Sequence, residues 1–416
     1  MEEMTKEQIK SKRTVSLILS SLVLLFLGLI YAFSMFAKPM VQDFAALESV
    51  GSTFFIMMIA FCTGCVAGSF IDKKVGTKVS LIISAVMVAI GFIGTGMLCG
   101  TGGLGVMYGF YAIIGGLGVG YGYNTIVATT NGWFPDKVGF SGGVMMMCFG
   151  LSSLIMGTLF LNLRGILGGM GGVLIAIGVI VAVLVIALAF LLTRAPKNCV
   201  AVMAPEKLQA GGVEIGEDDA VLKSSIFYVY YIWGIIIIAV GLAVIGNCAA
   251  DATTLGINEG FASLLVGLVS TCNGLARLVL GALFDRTNIK VTMLVDGIIA
   301  TVGVACICGA FGTGASMLFI VGALCVGFAY GGVPIMASSF ARARFGAKNY
   351  PVNLSIVNFA ICFGALLNMG VAAFAAGNRM TVFVCMLIFA IIAVLDVFVF
   401  SKMWKKQVED VMAAAK

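Results

Sequence analysis

Histidine is missing from this 416-residue chain, and charged side chains make up only 11% of it. The first absence removes the usual general base, the usual proton relay and a common metal ligand. The second leaves too little polar surface for a water-soluble protein. Hydrophobic residues reach 61% and mean hydropathy is +1.12, more apolar surface than a soluble fold of this length can bury. The bilayer is therefore the solvent. No basic cluster with interleaved aromatics accompanies the net charge of +6, which argues against a nucleic-acid partner. No nucleophile stands with a base, so the chain is not read as an enzyme and no cofactor is implied. A cleavable signal peptide is lacking too. The apolar run 15–36 is too long and has no small-residue cleavage motif, so it is expected to remain as a first helix.

The 12 cysteines are scattered through the apolar runs. Cys62-Thr-Gly-Cys65 has redox or metal-like spacing, but it lies mid-run and no histidine exists to complete a site. These thiols read as small apolar packing residues, and neither a metal site nor a disulfide framework is expected.

Apolar runs of spanning length fall near 14–36, 51–71, 77–99, 104–130, 140–162 and 171–193, then near 225–248, 260–284, 289–311, 314–337, 351–376 and 379–402. Between the two sets lies one long polar segment with Pro196, Pro205, Gly211-Gly212 and the acids Glu214, Glu217, Asp218 and Asp219. The predicted organisation is an N-terminal half at 1–192, a cytoplasmic linker at 193–224, a C-terminal half at 225–402 and a tail at 403–416. Lysine and arginine collect at alternate loops, leaving only Lys38, Arg164 and Arg379 on the other side. That bias predicts both termini in the cytoplasm, in a cell (inner) membrane crossed an even number of times.

The halves repeat. Gly68-Ser-Phe-Ile-Asp72-Lys73 recurs as Gly281-Ala-Leu-Phe-Asp285-Arg286, each between the second and third run of its half. The run Gly115-Gly-Leu-Gly-Val-Gly-Tyr-Gly122 is read as helix packing, since no preceding strand suits it to cradle a phosphate. Arg277 stands alone as a basic residue deep inside a spanning run. A guanidinium at a helix centre costs about 2.5–3.5 kcal/mol on insertion scales, which calls for an anionic partner or a water-filled path.

The paired Gly-x-x-x-Asp-basic loops resemble the signature of the major facilitator superfamily. Ile30-Tyr-Ala-Phe-Ser-Met-Phe36 with Pro39, Trp133-Phe-Pro-Asp-Lys137, Asn273-Gly-Leu-Ala-Arg277, and Phe345-Gly with Asn353 resemble the oxalate/formate antiporter family. The resemblance runs over the whole transport core. It implies an all-α membrane protein with the twelve-helix major facilitator fold, two six-helix halves related by a pseudo-two-fold axis. It also implies a rocker-switch carrier in which Arg277 contacts a substrate carboxylate between the halves. Tyr31, Tyr330 and either Tyr121 or Tyr123 would surround the substrate. Asn124, Asn273 and Asn358 are further candidate contacts, with hydrogen bonding between helices as the plainer reading of Asn124 and Asn358.

Two departures narrow that expectation. Oxalate-exchanging members have a lysine in the eleventh helix where Ile361 stands here, so a dianion would meet one cation instead of two. A monocarboxylate of formate, lactate or pyruvate size is favoured over oxalate. Related proton-linked carriers place an aspartate where this chain has Asn273, which cannot titrate. Asp296 and Asp396 are read as packing or interfacial residues, with a proton-carrying role as the alternative for each. Anion exchange is thus favoured, with proton symport as the alternative and export of lipophilic or cationic compounds behind it. Gly68, Asp72, Lys73, Gly281, Asp285 and Arg286 are expected to gate the cytoplasmic side, the carboxylates engaging basic groups or helix N-termini. The Trp133-Phe134 pair is expected at the membrane interface. The partners implied are a small carboxylate and the bilayer, and the carrier is expected to act as a monomer.

Overall fold

The computed structural model describes residues 3–50, 53–204, 221–346 and 349–414. The expected linker residues Pro205, Gly211, Gly212, Glu214, Glu217, Asp218 and Asp219 lie outside them. Among the described residues the chain is helical, without strands. Eleven helices among the described residues are long and apolar enough to cross a membrane. One of them, Thr77–Asn131, is 55 residues long and holds two crossings, since about 20 residues suffice for one. Its chain turns back at Gly103, where φ is +52° and ψ is −138°. The return is visible in the packing: a Cβ on Gly91 would stand 2.6 Å from the Cα of Gly115, a contact impossible along one straight helix.

The chain divides into two compact units, Met1–Pro135 with Cys148–Ala204, and Asp136–Met147 with Pro205–Lys416. The helices are α1 (Lys6–Leu27), α2 (Phe33–Asp43), α3 (Thr53–Val75), α4 (Thr77–Val106), α5 (Gly116–Asn131), α6 (Val138–Ser152), α7 (Thr158–Asn162), α8 (Met170–Leu191) and α9 (Cys199–Met203). They continue as α10 (Ser225–Ile245), α11 (Cys248–Thr254), α12 (Glu259–Arg286), α13 (Ile289–Thr313), α14 (Ser316–Phe345), α15 (Tyr350–Asn358), α16 (Ala360–Phe374) and α17 (Arg379–Ala414).

In the first unit the glycine run works as two interleaved ridges. Gly116 and Gly120 press on α3, with would-be Cβ positions 2.8 Å from the Met57 carbonyl oxygen and 1.9 Å from that of Phe61. Gly118 and Gly122 press instead on α4, at Val88 and Ser84. The i,i+4 spacing puts each pair on one helix face, and the missing side chains let three backbones meet. The Cys65 thiol then donates to the Gly120 carbonyl at 3.2 Å.

The Trp133-Phe134 pair is buried in the protein and does not face outward as an interfacial pair would. Trp133 is 1% exposed, packed with Phe134 against Ile9 and Cys199. Its indole N–H donates to the Thr193 carbonyl at 2.7 Å. The polar start of α1 makes this possible: Thr5 and Gln8 form a capping box that holds the helix over the loop.

Each unit is also closed by an Asp–Arg clasp. In the first, Arg164 Nε donates to Asp43 Oδ2 at 2.8 Å and Arg164 Nη2 pairs with Oδ1, while Asp43 accepts the Met170 amide at 2.6 Å where α8 begins. In the second, Arg379 donates to both Asp251 oxygens, at 2.7 and 2.5 Å, and to the Ala243 carbonyl at 2.9 Å. Both clasps tie the chain beyond the unit's first spanning helix to the beginning of its last. The Arg164 hydrogen bond holds the Asp43 carboxyl below its ordinary 3.8. A lowered acid stabilises the fold above the ordinary carboxylate range and loses that contribution as pH falls through the lowered value. Burial pushes the Asp251 carboxyl up and the Arg379 hydrogen bonds pull it back, so the weight of this pair lies in what breaking it would expose.

The clasps should therefore differ under mutation. The Asp251 side chain is 5% exposed and that of Asp43 22%. Asp251→Ala should destabilise by about 3–5 kcal/mol, leaving Arg379 without its partner. Asp43→Ala should destabilise by about 1–2 kcal/mol. Thermal unfolding in nanodiscs checks this, and an equal or reversed ranking would refute it.

Candidate functional site

Asn258 starts α12 by accepting the Phe261 amide at 2.8 Å, and the helix then runs 28 residues. Its middle lies against the first turns of α6. A Cβ at Gly139 would stand 2.3 Å from the Gly281 carbonyl oxygen, and one at Gly143 would stand 2.6 Å from that of Arg277. Two i,i+4 pairs, Gly139 with Gly143 and Arg277 with Gly281, thus bring backbone onto backbone. At that separation Arg277 Nη1 reaches the Met146 carbonyl, donating at 2.5 Å.

Arg277 is 3% exposed, and its Nε has no hydrogen-bond partner. No carboxylate among the described residues pairs with it; its acceptor is a neutral carbonyl. One turn earlier on the same helix, Asn273 Oδ1 is also buried without a partner. Asn273 is held there because Gly331 of α14 abuts its main chain, with a would-be Cβ 2.1 Å from the carbonyl oxygen. The pair therefore leaves an unused cationic donor beside an unused acceptor.

The remaining candidates of this unit sit elsewhere in it. Tyr330 is buried with its ring on Gly241 of α10, where a Cβ would stand 2.4 Å away. Asn358 ends α15 and lines a small cavity with Tyr230, Val333, Pro334 and Ile361. Arg277, Asn273 and Tyr330 do not line that cavity.

In the first unit Tyr31 and Tyr123 come together. Phe149 lies 5.5 Å from Tyr31 and 4.8 Å from Tyr123, ring centre to ring centre, and Phe61 lies 5.4 Å from Tyr123. Tyr31 is delivered there by a 3-10 turn, Gly28–Ala32, between α1 and α2. Gly28 abuts the Phe149 carbonyl, which fixes that turn on α6. Tyr121 has another job: its hydroxyl donates to Ser80 at 3.0 Å and its ring covers Gly68. Asn124 is buried beside Tyr123 in sequence. Phe61 and Phe149 had no distinguishing signal among 30 phenylalanines.

The two repeated loops use their aspartates differently. Asp285 accepts the Gly139 and Phe140 amides at 2.9 and 2.6 Å, capping the N-terminus of α6. Asp72 accepts Arg194 Nη2 at 2.7 Å, while Arg194 Nε donates to Thr77. The other Asp72 oxygen is buried without a partner. Lys73 and Arg286 are exposed.

The sequence profile of the Major Facilitator Superfamily matches residues 17–367. The oxalate:formate antiporter of Oxalobacter formigenes is 25% identical over 358 residues, 83% of this chain and 81% of that protein. The uncharacterized MFS-type transporter YhjX of Escherichia coli (strain K12) is 24% identical over 369 residues, 87% of this chain and 88% of its own. Among solved structures, the proton:xylose symporter XylE superposes with a TM-score of 0.70 at 16% identity, covering 95% of this chain and 96% of its own. The fucose:proton symporter FucP of E. coli gives 0.67 at 14%, covering 94% and 99%. At these identities the two structures speak to the fold alone.

The Asp285 cap has a local signature. Asp285→Ala should cost about 1–2 kcal/mol at the start of α6. Hydrogen exchange in a peptide covering Gly139 and Phe140 should accelerate roughly tenfold, in line with that free energy. Unchanged exchange there would show that the cap does not hold the helix end.

Proposed function

This chain belongs to the major facilitator superfamily, and we propose that the cargo it moves across the membrane is a small carboxylate anion. Its place among membrane-spanning secondary transporters follows from the family and the eleven candidate spans. The observation that carries the cargo reading is Arg277, a buried cation whose bonded partner is a neutral carbonyl. A carboxylate would accept two parallel hydrogen bonds from the guanidinium, which a planar fork offers and a carbonyl cannot use. Asn273, with its idle oxygen, would orient a hydroxyl or a protonated group of the substrate. Similarity to a protein named as an oxalate:formate antiporter supports the same substrate class.

A single negative charge suits the site better than two. Ile361 stands where the resemblance to the oxalate-exchanging members would put a second cation, which leaves Arg277 as the one charge offered to the substrate. A second carboxylate buried there without a counter-charge would cost several kcal/mol. Formate, lactate or pyruvate is therefore favoured over oxalate. Transport would proceed by alternating access, with Tyr31, Tyr123 and Tyr330 as candidate substrate contacts and with both termini in the cytoplasm, as the lysine and arginine bias favours. Asp285 and Asp72 would act as gates, the first by releasing α6, the second through its Arg194 contact.

Exchange follows from the charge on Arg277. With the anion bound, the site is neutral and easy to occlude; empty, it buries a bare cation. Proteoliposomes preloaded with unlabelled substrate should take up labelled formate or lactate several-fold faster than empty vesicles. Equal rates would remove the exchange mode. Arg277→Lys should lower the transport rate at least tenfold, because an ammonium lacks the fork. Wild-type kinetics in that variant would put the carboxylate elsewhere.

A further inference from the structure

Asp296 lies two turns into α13, fully buried, and neither of its carboxylate oxygens has a hydrogen-bond partner. Its Oδ1 is 2.7 Å from where a Cβ on Gly332 would stand, so the carboxyl rests on the bare backbone of α14. Leu280 of α12 fills the other side of that gap. On α10, the Trp233 indole nitrogen lies 3.8 Å from the Cβ position of Gly297, the residue after Asp296, and it too is buried and unbonded. Tyr230, one turn earlier, has its ring 5.7 Å from that of Trp233 and its buried hydroxyl unbonded. A carboxyl, a phenol and an indole, all without partners, are thus gathered from two helices.

The charged and titratable groups on the packed elements do not balance the acid. Arg277 on α12 donates to Met146. Tyr330 on α14 lies on Gly241, and Arg344 near the end of that helix donates to Ser224. Asp396 on α17 has an unbonded oxygen of its own. Tyr230 on α10 is the one titratable neighbour within this cluster. An ionised carboxylate with neither cation nor donor is not sustained in such a place; the same group carrying a proton is neutral. Trp233 can only donate, whereas Tyr230 can donate or accept. Together they hold the donors that an ionised Asp296 would need and the acceptor that a protonated one would need. Tyr230 also lines the cavity shared with Asn358 and Ile361, which puts the cluster beside open space.

We propose that Asp296, with Tyr230 and Trp233, is a proton-binding site within the second unit, and that the transport cycle loads and releases a proton there. The step is balanced: one proton joins the carboxylate from water on one side and leaves to water on the other. Exchange between equal solutions needs no net release, because the proton stays bound while the anion is swapped. Net uptake does need it. The site rests on the geometry of this unit; its coupling to a carboxylate rests on the function proposed above.

Infrared difference spectroscopy of the protein in nanodiscs, without substrate, tests the site alone. A protonated carboxylic acid band should disappear as pH is raised. It should be missing in Asp296→Asn and kept in Asp396→Asn. Tyr230→Phe, which deletes one hydroxyl, should move the change to higher pH by removing a donor to the ionised form. A band that survives Asp296→Asn, or a midpoint unmoved by Tyr230→Phe, would overturn the assignment. In proteoliposomes, an alkaline interior should speed labelled formate uptake several-fold, and the ratio of uptake with and without the gradient should fall to one in Asp296→Asn. A ratio unchanged in that variant would overturn the coupling. An Asp296-dependent band in a protein that moves no carboxylate would sustain the proton site while sinking the cargo.

Discussion

The contact on which the site depends is the backbone approach of α6 to α12 at Gly139 and Gly143. Only without side chains can the Met146 carbonyl come within reach of Arg277, and that bond is what makes a buried guanidinium tolerable. The same approach brings the α6 N-terminus to Asp285. One stretch of helix therefore receives the acidic end of α12 and supplies the neutral acceptor for its cation. A side chain at Gly143 would strike the Arg277 main chain and separate both at once.

Much of this could be read from the residues. The burial of an arginine inside an apolar run announced a polar site at Arg277, and the repeated loops announced paired aspartates. The glycine run was legible as packing, though not its division between α3 and α4, which depends on which way each helix face turns. Hydropathy reports how far a helix runs through apolar surroundings and is nearly silent on its rotation when every face is apolar. That is why the surroundings of Asp296 were not legible, and why Tyr121 and Tyr123 could not be told apart. The burial of Trp133 was hidden for a related reason. An aromatic pair before a proline at a helix end fits an outward-facing place as well as a buried seat, and this seat is made by residues near position 9 and position 199.

The two aspartate loops show that repeated sequence does not enforce repeated bonding. Gly68 and Gly281 do the same work, each admitting a close neighbour, a tyrosine ring in one case and a backbone carbonyl in the other. Asp285 spends both oxygens on amides, while Asp72 gives one to Arg194 and keeps one idle. Similar chemistry at equivalent positions thus leaves one loop satisfied and the other with an unmet acceptor. An unequal pair of this kind can favour one conformation over its alternative, which an identical pair could not.

The Asp–Arg clasps carry a consequence for biosynthesis. Asp43 and Arg164 are 121 residues apart, and Asp251 and Arg379 are 128 apart. At about 5–20 residues per second, roughly 6–25 seconds separate the synthesis of each aspartate from that of its arginine. For that interval the carboxylate has no partner and must be kept in water at the edge of the bilayer. The last helix of each unit is then the one that ends the wait. A chain stalled before that helix would present an unclasped bundle, its first helix free to drift, for quality control to find.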